Sequence, residues 1–150
     1  MDYNFPVVRT THPKARPADE TKLGFAKYFT DHMFAMDWDE GLGWHDGRVV
    51  PHEPLLIEPA SCVLHYAQMM FEGMKAYRTA DGEIQIFRPD MNVKRMARTC
   101  ERMCIPELPE DLLVAAVRAV IKEDIDWVPK APGTALYIRP FIFGDEVSFS

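Results

Sequence analysis

Tyr137 and Arg139, in "LYIRP", stand two residues apart on a strand-like segment and so share one face. A guanidinium beside a phenol makes a carboxylate receptor, because bidentate pairing is joined by one extra donor. The same spacing also suits an edge arginine paired with a surface acid. The segment Pro89–Cys104 offers a second feature: Lys94, Arg95, Arg98 and Arg102 fall on one half of a helix. Four cations there could receive a phosphate, above all near the helix start, where free amides help. The periodicity favours a solvated face instead, and nothing in the spacing singles out Arg95. Cys100 and Cys104 could touch a metal together, yet no His, Asp or Glu completes a zinc spacing. Two small buried hydrophobes is the plainer reading of that pair. There is no phosphate-cradling glycine loop, and "FEG" lacks the central serine of a nucleophile elbow. A complete catalytic set is therefore not found from residue types and spacing.

The composition bounds what these residues can serve. The chain has 150 residues, 47% hydrophobic and 27% charged, which suits one domain with a proper core. A net charge of -6 and a pI near 5.3 argue against a nucleic-acid partner, whose phosphates need a basic surface. No apolar run approaches the roughly 20 residues of a membrane-spanning helix, so no membrane partner is expected. The first residues lack an apolar signal core. Three cysteines without a framework spacing suggest reduced thiols and a cytoplasmic location.

The elements that must position the candidates follow from pattern. Residues 1–22, rich in Pro, Thr and charge, read as an arm that drapes over something or stays loose. "MFAMDWD" (Met33–Asp39) reads as a strand, and Asp46-Gly47 in the following "LGWHDGRVVP" as a hairpin turn. "PLLIEP" (Pro54–Pro59) reads as extended. Ser61 is placed to cap a short helix running to about Met70, which Gly73 then ends. Met74–Arg88 reads as a second hairpin turning at Asp81-Gly82. Helices are expected from Pro89 to about Cys104 and from near Pro109 to about Trp127. Thr134–Gly144 reads as a strand with Leu136, Ile138 and Ile142 on one face and Tyr137, Arg139, Phe141 and Phe143 on the other. Pro140 marks an edge or a bulge. The fold class expected is α+β, with helices packed on a mainly antiparallel sheet.

Several separated motifs agree in order: "LHYAQMMFEGMKAYR", "IFRPDMNVKRM" and "GTALYIRP", with "FTDHM" and "DWVP". With these the chain resembles the branched-chain amino acid aminotransferases, fold type IV enzymes that use pyridoxal 5'-phosphate. The resemblance runs from about Phe25 to Ser150 and covers only the small N-terminal domain of such an enzyme, here residues 23–150. It implies that Arg95, in "NVKRM", binds the cofactor phosphate. Tyr66 in "LHY", Phe71 in "FEG" and Phe25 in "LGFAKYF" match aromatics that wall the substrate side-chain pocket, the tyrosine reaching in from a neighbouring subunit. Tyr137 and Arg139 match residues beside the substrate, the arginine meeting the distal carboxylate of glutamate or 2-oxoglutarate.

The family's cofactor-bonding lysine lies in its large C-terminal domain, so no catalytic residue is expected in this chain and the chain alone is expected to be inactive. Lys75, in "GMKAY", does not match that position. Glu72 is expected to pin the Phe71–Gly73 turn through backbone amides. The implied substrates are Leu, Ile, Val, Glu and their 2-oxo acids, and cross-subunit sites imply a homodimer or a higher homo-oligomer. Two alternatives stay open. One is another fold type IV enzyme, a D-amino acid aminotransferase or an aminodeoxychorismate lyase. The other is a non-catalytic domain whose exposed apolar surface serves association.

Overall fold

In the computed structural model, which describes residues 3–148, the strand-forming runs pair as antiparallel sheets and two amphipathic helices cover them. This is the α+β class expected from the pattern. The first pair is His32–Asp39 (β1) with Gly43–Pro51 (β2). Its turn is Glu40–Leu42, where Gly41 (φ 88°) and then Gly43 (φ 73°) take left-handed backbone. The expectation of a turn at Asp46-Gly47 is corrected: both residues lie inside β2. Ala35 opposes Arg48 and Asp37 opposes His45, so Asp46 and Gly47 together face Met36 as a bulge. Asp46 is left-handed there (φ 53°). A left-handed Asp before Gly serves a bulge as well as a turn, which is why the dipeptide misled.

Beyond this hairpin, Ser61 precedes a helix, α1, that spans only Cys62–Tyr66. The expected extension to Met70 is corrected, because Ala67 turns left-handed (φ 52°) and Met69–Phe71 is already strand β3. Ser61 gives no side-chain cap, its hydroxyl being buried without a partner. Gly73 ends no helix. It sits between β3 and β4 (Met74–Arg78), and β4 turns at Asp81-Gly82, as the pattern predicts, into β5 (Ile84–Ile86).

The strand read across 134–144 is divided at Arg139-Pro140 into β6 (Leu136–Ile138) and β7 (Phe141–Phe143). β6 pairs with β4 and β7 with β3, both antiparallel, and the register carries through the break. Phe71 opposes Phe141 and Met74 opposes Ile138, so Glu72 faces Pro140 and Gly73 faces Arg139. Glu72 N–H donates to Pro140 O at 2.8 Å, and Pro140 has no N–H to return. β3–β4 and β6–β7 thus form one ribbon with a joint in its middle. Its inner face carries Met70, Met74 and Ala76 with the partly buried Leu136, Ile138 and Ile142. The outer face carries Phe71, Lys75, Tyr137, Arg139, Phe141 and Phe143, as alternation predicts.

Helix α2 spans Pro89–Arg102 and α3 spans Glu110–Glu123, followed by a 3-10 turn at Ile125–Trp127. Val93, Met96 and Cys100 of α2 meet Leu112, Leu113, Val117 and Ile121 of α3 over the inner face of the ribbon. Such burial is the main stabilising contribution, about 1.5–3 kcal/mol for each large aliphatic side chain. α2 stops before Cys104, which is exposed and left-handed (φ 53°), while Cys100 is buried. The two thiols therefore share no helix face, and among the described residues no group of three or more His, Cys, Asp or Glu could hold a metal. Nor is any described helix long and apolar enough to cross a membrane.

Residues 3–9 lie along β2 and α3, and Lys14, Arg16 and Glu20 bond segments before β1 and after α3. Val8 N–H and Val49 N–H bond Val49 O and Pro6 O, each at 2.9 Å. Thr10 N–H donates to His32 Nε2 at 3.0 Å, while His32 Nδ1 is 2.7 Å from Asp124 Oδ1. His32 N–H donates to the other Asp124 oxygen at 2.9 Å. A backbone N–H can only donate, so Nε2 is the acceptor and Nδ1 carries the proton that faces Asp124. This buried set ties the arm, β1 and the end of α3 together. Residues 52–58 are irregular, and Leu56 is fully exposed.

Candidate functional site

The joint of the ribbon is where the candidate residues meet. Glu72 belongs to the inner face and is only 3% exposed. Its Oε1 accepts Gly73 N–H at 2.7 Å and Asn92 Nδ2 at 3.2 Å. Arg95, one turn further along α2, donates Nε to Oε2 at 2.8 Å and Nη2 to Oε1. The carboxylate thus pins its own turn, as expected, and also grips a helix 23 residues away. Burial works against its charge, but the bonds from Arg95, Gly73 and Asn92 outweigh it and hold the carboxyl below the usual range. The Arg95 guanidinium is held above its ordinary value by the same pairing.

On the outer face, Tyr137 lays its hydroxyl over Gly73. A Cβ at Gly73 would overlap that hydroxyl and come within 2.9 Å of Cζ. Arg139 donates to the Tyr137 oxygen from Nε at 3.3 Å and Nη2 at 3.1 Å. Its guanidinium carbon also sits 4.2 Å from the centre of the Phe71 ring. Phe25 meets Tyr137 edge-on, with centroids 5.1 Å apart. Gly73 is therefore a window in the ribbon. Through it the Tyr137 hydroxyl reaches the turn that Glu72 pins and ties to Arg95.

Four of the six candidates, Phe25, Phe71, Tyr137 and Arg139, make one connected cluster, and Arg95 adjoins it. Tyr66 is the last residue of α1, exposed, outside the ring and cation contacts just described. Lys75 lies cross-strand from Tyr137 and is exposed, on the face opposite Met74 and Ala76. The side chain of Arg95 is 61% exposed, and it borders an open depression with Arg98, Thr99, Glu101, Arg102 and Met103. Its inner edge is occupied by Glu72, which leaves Nη1 and the outer N–H of Nη2 facing away. That arrangement fits a phosphate dianion, which needs fixed donors and a counter-charge. Spacing alone missed Glu72 as the partner of Arg95. The available signal was a single acid beside Gly73 and, beyond the hairpin that follows, a helix with a basic half.

Comparison with known proteins finds relatives of one kind. Over 140 residues the chain is 51% identical to branched-chain-amino-acid transaminase 1 of Bacillus subtilis, a match covering 93% of this chain and 39% of that one. The chain matches the N-terminal part of branched-chain aminotransferases. It spans about two fifths of the length of the curated relatives it matches. The branched-chain aminotransferase of Escherichia coli superimposes with a TM-score of 0.57 at 28% identity, covering 69% of this chain and 32% of that one. The T.th. branched-chain aminotransferase superimposes with a TM-score of 0.53 at 31% identity, over 65% of this chain and 31% of that one. That relative was crystallised with N-(5'-phosphopyridoxyl)-L-glutamate. No protein-family model matches the sequence.

Proposed function

We propose that this chain supplies the phosphate counter-charge and the substrate-side walls of a branched-chain amino acid aminotransferase. The reaction is transfer of the amino group of Leu, Ile or Val to 2-oxoglutarate. The observation that carries this reading is the joint at Glu72–Gly73, which brings a fixed, outward-facing arginine beside an aromatic cluster containing a second arginine. Pyridoxal phosphate, when bound, supplies the electron sink and carries the amino group between the two substrates. Arg95 holds its phosphate by charge-assisted bonds. Phe25, Phe71 and Tyr66 exclude water from a branched aliphatic side chain. Arg139, held by Tyr137 and resting on Phe71, receives the distal carboxylate of glutamate without facing the aliphatic chain.

The two half-reactions test the assignment of Arg139. In the transaminase carrying this sequence, Arg139→Ala removes a charge-assisted pair worth about 1.5–3 kcal/mol. The loss is expected in the rate of the glutamate half-reaction, with the leucine half-reaction changed much less. Equal losses in both would remove Arg139 from this role. No residue of the chain is assigned the covalent bond to the cofactor. Borohydride reduction of the chain in the presence of pyridoxal phosphate should give no stoichiometric adduct at one lysine. Such an adduct, on Lys75 for example, would overturn that part of the reading.

A second reading concerns association. Leu64 and Tyr66 of α1, with Met69, Phe71 and Phe141 of the ribbon, are all exposed. Exposed apolar side chains of this kind suit an interface. The chain is expected to form a homodimer or larger homo-oligomer through this side, and Met69→Glu should shift the sedimentation profile towards monomer.

A further inference from the structure

The Glu72 carboxylate presents an apparent contradiction. An acid adjoins the arginine assigned to a dianion, so simple electrostatics says that it weakens anion binding. Its geometry says otherwise. Both oxygens of Glu72 are engaged, and Arg95 is gripped side-on through Nε and Nη2. Asn92 Nδ2 bridges the same carboxylate and Gly73 O, at 3.2 and 2.9 Å, which fixes the acid between strand and helix. Released from this grip, the Arg95 side chain would have open solvent around it, since 61% of it is exposed. A long, solvated arginine must be immobilised at the moment of binding, and that cost lowers affinity. Glu72 lies on the inner edge of the guanidinium, and the outer N–H groups face the opposite way. The carboxylate therefore aims the donors at the anion from behind.

We propose that Glu72 is a positioning residue for phosphate recognition, holding Arg95 with its outer N–H groups preset towards the phosphate of the cofactor. This rests on the reading of Arg95 as the phosphate partner. It predicts an effect opposite in sign to that of charge alone: removing the negative charge weakens phosphate binding. It also explains why the acid is buried and makes four hydrogen bonds, more than pinning one turn requires.

The experiment compares the affinity of the transaminase carrying this sequence for pyridoxal 5'-phosphate and for pyridoxal, by titration of the cofactor-free protein. The ratio isolates the phosphate. Arg95→Ala should collapse the ratio, and a ratio left intact overturns the phosphate role of Arg95, whatever Glu72 does. Where Arg95→Ala collapses it, Glu72→Gln is expected to lower the ratio about tenfold with pyridoxal affinity unchanged. An unchanged or increased ratio overturns the inference and leaves the Arg95 reading standing. A measurement without substitution guards against misfolding of the variant. In the cofactor-free protein the Arg95 Nε–H should exchange slowly with water and give a rigid heteronuclear NOE. A freely moving Arg95 side chain would overturn the proposal on its own.

Discussion

Gly73 shows how much one missing side chain decides. Its backbone is not in the left-handed region, so conformational freedom is not why glycine stands there. The reason is the Tyr137 hydroxyl, which fills the space of a Cβ. Gly73→Ala must displace Tyr137 and disturb its contacts with Phe25 and Arg139. Overpacking of this kind costs about 1–3 kcal/mol, read from the denaturant midpoint. The cost should shrink in a Tyr137→Phe background, where the overlapping oxygen is gone. Glu72 makes a pH prediction. Its folded-state pKa lies below the ordinary carboxyl value, so the unfolded chain binds its proton first as pH falls. Its contribution to stability is present above the unfolded pKa and is lost as pH drops through the lower folded value. The acid limb of the stability profile should therefore be shallower in Glu72→Gln than in the parent. An identical slope would show that the pair contributes nothing to acid sensitivity.

At the scale of elements, much of the fold was legible and the exceptions have physical causes. The alternation of Leu136, Ile138 and Ile142 against Tyr137, Arg139 and Phe141 could be read because the period of two carries through Pro140. Pro140 marked the place of the division as an edge or a bulge, but its partner there, Glu72, is far away in sequence and could not be read. Asp46-Gly47 and Gly41 both offered left-handed backbone, and local chemistry does not say which becomes the turn and which the bulge. Helix α1 was overextended because Met69 and Met70 fit a helical stripe, whereas pairing with β7 makes them strand. In α2 the polar half was correct, but periodicity cannot see which of its four cations meets a buried acid. The far end of the β1–β2 hairpin carries its own prediction. His45 Nδ1 and Nε2 lie 2.9 and 2.8 Å from Asp46 and Asp39, and these bonds raise its pKa above 6.5. The sign follows: stabilisation by His45 is complete below the unfolded value and is lost as pH rises through the raised folded one. An NMR titration should show the imidazole and the Asp39–Gly43 amides shifting together at that higher pH, and independent shifts would separate them.

At the scale of the whole molecule, the arm, β1 and the end of α3 meet through buried polar groups. Thr10→Pro deletes the donor to His32 Nε2 and leaves a buried acceptor unpaired, at a cost of about 1–3 kcal/mol. Exchange protection should fall in both the arm and the end of α3, because Asp124 closes the same set. Loss confined to the arm would show that the three parts are not coupled. The ribbon has a different consequence. Its two halves keep a single register through the joint, so every outward side chain depends on an unbroken count of residues from Met69 to Arg78 and from Leu136 to Phe143. One inserted or deleted amino acid in either stretch would swap inside for outside beyond that point, sending Phe71 or Tyr137 into the hydrophobic interior and Met70 or Ile138 into water. The Glu40–Leu42 turn bears no such constraint. Among natural variants of this sequence, length changes should therefore accumulate at that turn and be absent from the ribbon.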